Sequence, residues 1–227
     1  MQFSSLRTLE THFQIEFPAD EIRASYNIAP TQEVLALVHS NGRRVDKYHW
    51  GLVPFWSKDL TLASRLINAR AETVAAKPSF RTAFKRRRCL ILADGYYEWK
   101  GQKGHKQPYF IFLPDRQPFA FAGLWERWKP QTAAGDHEDQ IEYKSCTIIT
   151  RMASKSVRDI HHRMPVILKP EAYDDWLDPK IQQADYLENI LEIRHFRQMK
   201  NYAVSKFVNR VQNNTAECID PLPGVPA

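Results

Sequence analysis

The feature that most constrains the fold of this chain is a succession of short apolar segments, each bounded by turn-forming residues. Segments of this length, rich in β-branched and aromatic residues, are typical of β-strands. After the first of them, Asn41 and Gly42 accept the positive φ angles of a tight turn and predict a hairpin. The predicted strands are EVLALV, VDKYHWGLVPFW (ending at Pro54), CLILA, YYEW, YFIFL, FAFAGLW, SCTIIT and PVILK.

Helical spacing is confined to a few short segments. Leu6, Leu9 and Phe13 recur on one face of a predicted N-terminal helix, which a preceding serine can cap. We find no internal repeat and no linker between two cores, so the sequence predicts one α+β domain over residues 1–227. It should contain a curled, barrel-like, mostly antiparallel sheet with peripheral helices. Further helices are predicted at PSFRTAFKRRR, PEAYDDWL and ADYLENILEI, and a solvated loop at KPQTAAGDHEDQIE.

The charge balance favours a polyanionic partner, because 32 Lys and Arg face 26 Asp and Glu and give a formal charge of +6. No apolar run approaches the roughly 20 residues that span a bilayer, and the N-terminus lacks the apolar stretch of a signal peptide. We expect a cytoplasmic protein that associates with the nucleoid when bound to DNA. Cys89, Cys146 and Cys218 are far apart and form no CxxC pair. We therefore expect reduced thiols, no metal and no cofactor.

Three polar side chains alternate in the segment RLINARAET. An extended backbone would direct Asn68, Arg70 and Glu72 towards one surface. Asn can orient a substrate through donor and acceptor atoms, and Arg can hold a phosphate or carboxylate with its planar guanidinium. These residues alone equally fit a solvent-facing strand with an Arg–Glu pair.

A carboxylate lies among aromatic residues in the segment ADGYYEWK. Alternation along a strand places Tyr96 and Glu98 on one face and the other two aromatic residues on the opposite face. Beside an aromatic ring the carboxylate loses hydration, so either a cation pairs with it or its pKa rises into the range of general acid–base catalysis. The segment by itself favours the ion pair.

Two adjacent histidines stand in RDIHHRMP, between Asp159 and Arg163. One imidazole there can titrate near neutrality and be oriented by Asp159. On a strand, His161 and His162 would point to opposite faces, which argues against a shared metal ion.

Two further features bear on nucleic-acid binding. The run FKRRRC carries four consecutive cations, residues 85–88, typical of a solvated helix end but also able to border a polyanion. Trp50 and Trp56 flank Pro54 in WGLVPFW. Core packing accounts for at least one of them, whereas a partly exposed Trp beside cations can stack on an unpaired base, a contact worth roughly 1–3 kcal/mol.

The order of these motifs resembles the SRAP family of abasic-site processing proteins, from Tyr26 to the C-terminus. The matching motifs are YNIAPT, WGLVPFW, INARAET, KPSFRTAFKRRRCL, ADGYYEW, FAFAGLWERW, CTIIT and IHHRMPVIL, followed by the closing segment YAVSKFVNRVQNN. The resemblance implies a barrel-like α+β domain, expected to be a monomer, that acts in DNA repair and the SOS response. It implies binding to single-stranded DNA and covalent attachment to the aldehyde of a base-less deoxyribose. The implied activity is lyase-like, and the protein is expected to process its own N-terminus as a hydrolase or peptidase.

The resemblance also implies roles for individual residues. Asn68 would orient the sugar, Arg70 would contact a phosphate, and Glu98 would be the acid–base residue that protonates the leaving oxygen and later helps to reverse the linkage. His161 would assist opening of the sugar ring. His162 stands where the family usually has an acidic residue, so the charge near His161 should differ. We expect Trp50 and Trp56 to contact the DNA.

The start of the sequence departs from the family. The family begins Met-Cys-Gly-Arg, and the exposed cysteine closes a thiazolidine ring on the aldehyde with its amine and thiol; this sequence begins Met-Gln-Phe. Internal cysteines lack a free α-amine and cannot replace it. We therefore expect the native product to start a few residues upstream, at Met-Cys-Gly-Arg. The alternatives are a non-covalent single-stranded DNA-binding module and a peptidase-like hydrolase, although no Ser-His-Asp spacing or metal motif supports the latter.

Overall fold

The predicted hairpin is present, and Asn41 and Gly42 have φ angles of 54° and 100°. It joins β1 (Glu33–His39) to β2 (Arg43–Trp50) in antiparallel register. The second strand ends at Trp50 rather than at Pro54, because Gly51 turns the chain with a φ of 144°.

The computed structural model describes residues 1–17, 23–102, 104–130 and 142–224. Apart from its two ends, the predicted loop KPQTAAGDHEDQIE lies outside these residues.

Most predicted strands recur with shifted boundaries. The extended backbone considered for RLINARAET forms a strand only over Asn68–Arg70, and the short strand Lys200–Ala203 was not predicted. PVILK is split between two strands. The remaining strands are β3 (Asn68–Arg70), β4 (Arg88–Ala93), β5 (Tyr96–Lys100), β6 (Gln107–Phe112), β7 (Phe119–Trp128), β8 (Tyr143–Met152), β9 (Arg163–Pro165), β10 (Ile167–Leu168) and β11 (Lys200–Ala203). The α-helices are α1 (Leu6–Phe13), α2 (Arg81–Arg86), α3 (Tyr173–Leu177) and α4 (Ala184–Ile193). Three 3₁₀ helices span Pro170–Ala172, Lys206–Asn209 and Ala216–Ile219.

Five strands close into a barrel, which confirms the predicted curled α+β architecture. β1 pairs with β2 and β4, β4 with β7, and β7 with β8, all antiparallel. A short parallel contact between β2 and β8 completes the circuit. Besides pairing with β2 and β7, the long strand β8 pairs with β3 and β9. Both short strands therefore lie next to the barrel.

Alternation along the barrel strands separates two apolar cores. On β1, Val34, Ala36 and Val38 belong to the barrel interior, whereas Leu35 and Leu37 belong to the outer core. The outer core contains side chains from all four α-helices, which therefore cover that face of the sheet. A helix cover of this kind explains why β4 is buried along its whole length.

The segment ADG carries the chain out of the barrel. β4 lies in the barrel, but β5 pairs with β6 in a second sheet of order β11-β6-β5. The ring of Phe110 lies so close to Gly95 that a Cβ there would be 2.1 Å from one of its carbons. Gly95 is required by this close approach of the two sheets.

The basic run 85–88 is only partly solvated. Arg88 is 3% exposed and belongs to β4, and its guanidinium donates hydrogen bonds to the carbonyl oxygens of Phe84, Lys85, Trp176 and Asp178. Arg88 therefore provides hydrogen-bond donors to the carbonyl oxygens at the C-terminal ends of α2 and α3. No helix among the described residues is long and apolar enough to cross a bilayer.

Candidate functional site

A pocket of about 1000 Å³ lies between the barrel, the second sheet and the C-terminal segment. Five of the six predicted site residues line it, and Trp56 does not. The five are Trp50, Asn68, Arg70, Glu98 and His161.

The strand β3 presents Asn68 and Arg70 to the pocket because it pairs in parallel with β8 and buries Ala69 between them. Both side chains belong to exposed residues. Within the described part of the chain, neither side chain makes a hydrogen bond or ion pair, so both are available to a ligand.

Glu72 does not share this face. The strand ends at Arg70, and Glu72 lies in the following turn, where it makes a bidentate contact with Arg163 at 2.8 and 3.2 Å. Burial alone would raise the pKa of Glu72, but the hydrogen bonds and charge of Arg163 lower it below its ordinary value. The predicted Arg–Glu pair therefore exists, with Arg163 in place of Arg70.

Glu98 and His161 face each other across the pocket. Glu98 extends from β5, His161 precedes β9, and Oε1 of Glu98 is 3.8 Å from Nδ1 of His161. The same nitrogen lies 3.0 Å from the carbonyl oxygen of Arg163, which fixes the orientation of the ring. Burial raises the pKa of Glu98, and the charges of His161 and Lys106 and a backbone hydrogen bond oppose this rise.

The histidine pair differs from the prediction in two ways. The carboxylate that faces His161 belongs to Glu98, whereas Asp159 was predicted to orient it. His161 and His162 precede the strand and do not point to opposite faces; their ring centroids are 4.4 Å apart.

The pocket is electropositive. Among the described residues, its lining includes Arg70, Lys106, Arg163 and Lys206 together with one carboxylate, that of Glu98. Sequence reasoning missed Arg163, whose guanidinium also donates to the carbonyl oxygen of Thr150 and is thereby fixed at the edge of β8. Arg163 is already paired with Glu72, so Arg70, Lys106 and Lys206 are the cations that suit a ligand with phosphate groups.

The first residue of the sequence also lines the pocket. Met1 is 8% exposed, and its α-amine donates to the carbonyl oxygen of Gly95 at 3.1 Å. Burial lowers the pKa of this amine to about 6, against the opposing charge of Asp94. A residue placed before Met1 would be attached at the wall of the pocket.

Two buried side chains hold this N-terminal segment. Asp94, predicted only as a turn residue, accepts hydrogen bonds from the backbone N–H groups of Phe3 and Ser4 and from the Ser4 hydroxyl. The Gln2 side chain donates to the carbonyl oxygens of Leu35 and Leu92. No local sequence signal indicates these contacts, because they join residues about 30 to 90 positions apart.

The two predicted tryptophans occupy different environments. The indole of Trp50 lines the pocket and donates to the carbonyl oxygen of Ile67 at 2.8 Å. Trp56 is 45% exposed, in a loop anchored by a 2.7 Å hydrogen bond from the Trp128 indole to Ser57. Base stacking by Trp56 stays a prediction, and it would take place outside the pocket.

Two motifs far apart in sequence interlock to form one wall. The Asn27 carboxamide donates to the carbonyl oxygens of Val208, Arg210 and Asn213, and the Asn214 side chain accepts from the Asn27 backbone N–H. Segments YNIAP and FVNRVQNN are thereby joined. Among the described residues, no group of three or more His, Cys, Asp or Glu side chains could hold a metal ion.

Comparison with known proteins identifies clear relatives. The model of the SOS response associated peptidase (SRAP) family matches residues 1–211. The abasic site processing protein YoaM of Bacillus subtilis is 40% identical over 222 residues, 96% of this chain and 95% of that protein. The abasic site processing protein HMCES of Gallus gallus is 35% identical over 90% of this chain and 68% of its own length. A crystal structure of a protein from Bacteroides thetaiotaomicron has the same fold, with a TM-score of 0.78 at 25% identity, covering 97% of this chain and 98% of that one.

Proposed function

Because the chain belongs to the SRAP family, we propose that it processes abasic sites in single-stranded DNA as part of DNA repair. The observation that carries the proposal is one electropositive pocket that gathers Asn68, Arg70, Glu98 and His161 around the start of the chain. The names of the relatives support abasic sites as the lesion. All of these groups come from one chain, so the proposal requires only a monomer.

Each of these four residues has a separate role in the proposed reaction. Arg70 holds a phosphate next to the lesion, and Asn68 orients the base-less sugar. Glu98, whose pKa burial raises, gives a proton to the leaving oxygen, and His161 faces Glu98 and assists opening of the sugar ring. The open sugar presents an aldehyde at C1′.

The covalent step needs a nucleophile at the N-terminus. We propose that a cysteine placed before the present start supplies it once hydrolysis has removed the preceding Met and freed the cysteine α-amine. This amine condenses with the aldehyde and releases water, and the thiol then adds to the imine carbon while the nitrogen takes a proton. The position of Met1 in the pocket wall supports this proposal, because an upstream residue would be attached at the pocket that Glu98 and His161 also line.

Three forms of the protein test the function. We expect the form extended upstream to begin Met-Cys-Gly-Arg to migrate as a covalent adduct on a denaturing gel after incubation with abasic single-stranded DNA. The 227-residue form, and an extended form with Ala in place of the cysteine, should bind the same DNA without a stable adduct.

Three outcomes would decide against parts of the proposal. Equal affinity of every form for abasic and intact single strands would refute recognition of the lesion. A stable adduct with the Ala form would refute the role of the thiol. Preferential binding of abasic DNA with no adduct from any form would leave the non-covalent DNA-binding module as the function.

A further inference from the structure

Tyr96 lines the pocket, and its buried hydroxyl has no part in the roles above. Tyr96 is 8% exposed, and its hydroxyl oxygen has no hydrogen-bond partner in the described part of the chain. Its ring packs edge-to-face on Phe121, with centroids 5.8 Å apart, among the apolar side chains of the barrel interior. Tyr96 lines the pocket on the same face of β5 as Glu98.

A buried hydroxyl without a partner is costly, so in a residue that lines a ligand pocket it points to a ligand atom that accepts its hydrogen. Burial, together with the charge of Glu98, raises the pKa of Tyr96. The hydroxyl therefore stays protonated at working pH, and it donates a hydrogen bond without taking part in proton transfer. This separates its task from those of Glu98 and His161.

We propose that Tyr96 is a specificity-determining residue whose hydroxyl donates a hydrogen bond to the C1′ oxygen of the base-less sugar. The inference rests on the proposed function. With the phosphates held by Arg70 and the other cations, C1′ is the end of the sugar that points away from them, into the pocket. An intact nucleotide carries its base at C1′ and has no oxygen there to accept this bond.

Two single-stranded DNA probes differ in that oxygen and in whether the sugar is open, so the change of their affinity ratio in a variant reports on the oxygen. A borohydride-reduced abasic site keeps an oxygen on C1′ and cannot form an imine, whereas a tetrahydrofuran site lacks this oxygen. We expect the unaltered protein to bind the reduced site about tenfold more tightly than the tetrahydrofuran site. In Tyr96→Phe the ratio of the two dissociation constants should fall to about one.

Tyr48→Phe is the matched control. Tyr48 is fully buried, its hydroxyl is also unpartnered within the described residues, and it belongs to the same apolar cluster without lining the pocket. Both variants should keep or raise the melting temperature, because each removes a buried hydroxyl without a protein partner. Only Tyr96→Phe should change the affinity ratio.

The outcomes separate this inference from the proposed function. A protein that prefers both abasic probes to intact DNA but binds them equally, or an unchanged ratio in Tyr96→Phe, overturns the role of Tyr96 alone. A markedly lower melting temperature for Tyr96→Phe than for Tyr48→Phe also overturns it, since the hydroxyl would then serve the fold. Equal affinity of the unaltered protein for abasic and intact strands overturns both.

Discussion

Replacing Asp94 with Asn tests whether one carboxylate holds the N-terminal segment in the pocket. Asp94 is 3% exposed and accepts hydrogen bonds from the Phe3 N–H at 2.6 Å, the Ser4 N–H at 2.9 Å and the Ser4 hydroxyl. Hydrogen bonds to an ionised group contribute roughly 1.5–3 kcal/mol each and are about twice as strong as neutral ones. Asn keeps the shape of the side chain but removes the charge and leaves a single acceptor oxygen, so all three bonds should weaken or be lost.

The expected loss of stability follows from these three bonds. Halving the strength of each amounts to about 2–4 kcal/mol. In a chain of this size 1 kcal/mol shifts the melting temperature by about 2–4 °C, so Asp94→Asn should melt about 5–15 °C lower. Asp94→Ala should lose more, because two partly buried N–H groups would then lack their acceptor.

The functional consequence is a misplaced first residue. Displacing a reacting group by about 1 Å can reduce a rate roughly 100-fold. We therefore expect Asp94→Asn, in the form with the upstream cysteine, to capture abasic DNA far more slowly while binding single strands almost normally. The matched control is Asp46→Asn, which removes an ion pair with Lys144 outside the pocket. An unchanged capture rate in Asp94→Asn would refute the positioning role, and an unchanged melting temperature would refute the hydrogen-bond reasoning.

Two further predictions concern charge. Removing the Arg70 guanidinium in Arg70→Ala should weaken binding to all single strands alike and reduce the slope of log affinity against log salt by about 0.7; an unchanged slope would show that Arg70 contacts no phosphate. Glu98→Gln should slow processing of abasic DNA roughly 10²–10⁴-fold. Because burial raises the pKa of Glu98, the folded protein binds the carboxyl proton more tightly than the unfolded chain does. The free energy of unfolding therefore falls as the pH rises from the ordinary glutamate pKa through the folded-state pKa. Glu98→Gln should therefore melt higher than the unaltered protein at pH 8, with the difference vanishing below the ordinary glutamate pKa; a lower melting temperature at pH 8 would indicate a structural ion pair instead.

Local signals account for the elements that were predicted correctly. The Asn41-Gly42 turn and the capped apolar stripe of α1 depend on residues within a few positions of each other. β3 is different, because its three residues become a strand only by pairing in parallel with β8. Closure of the barrel is likewise non-local, since β2 pairs with β8 through residues about 100 positions apart in the chain, His49 with Ser145 and Trp50 with Cys146. No periodicity within one segment reveals such contacts.

The same distinction applies to the pocket. Family motifs supplied the residues that line it, but the partner of each charge depended on distant chain segments. Glu72 pairs with Arg163, which is 91 positions away. Arg88 stands in a run typical of a solvated helix end, and its guanidinium is buried against the carbonyl oxygens that end α2 and α3. Composition alone therefore overestimates the cations available to DNA.

The environment of Glu98 combines the two alternatives that its sequence left open. An ion-pair partner is present, since Nδ1 of His161 lies 3.8 Å away, yet burial outweighs it and leaves the pKa of Glu98 raised. Burial disfavours the carboxylate, and the charge of His161 partly compensates once the proton has left. A group that must give up a proton and take it back within one reaction needs an environment that strongly traps neither form. The aromatic strand around Glu98 and the histidine opposite provide the two opposing influences.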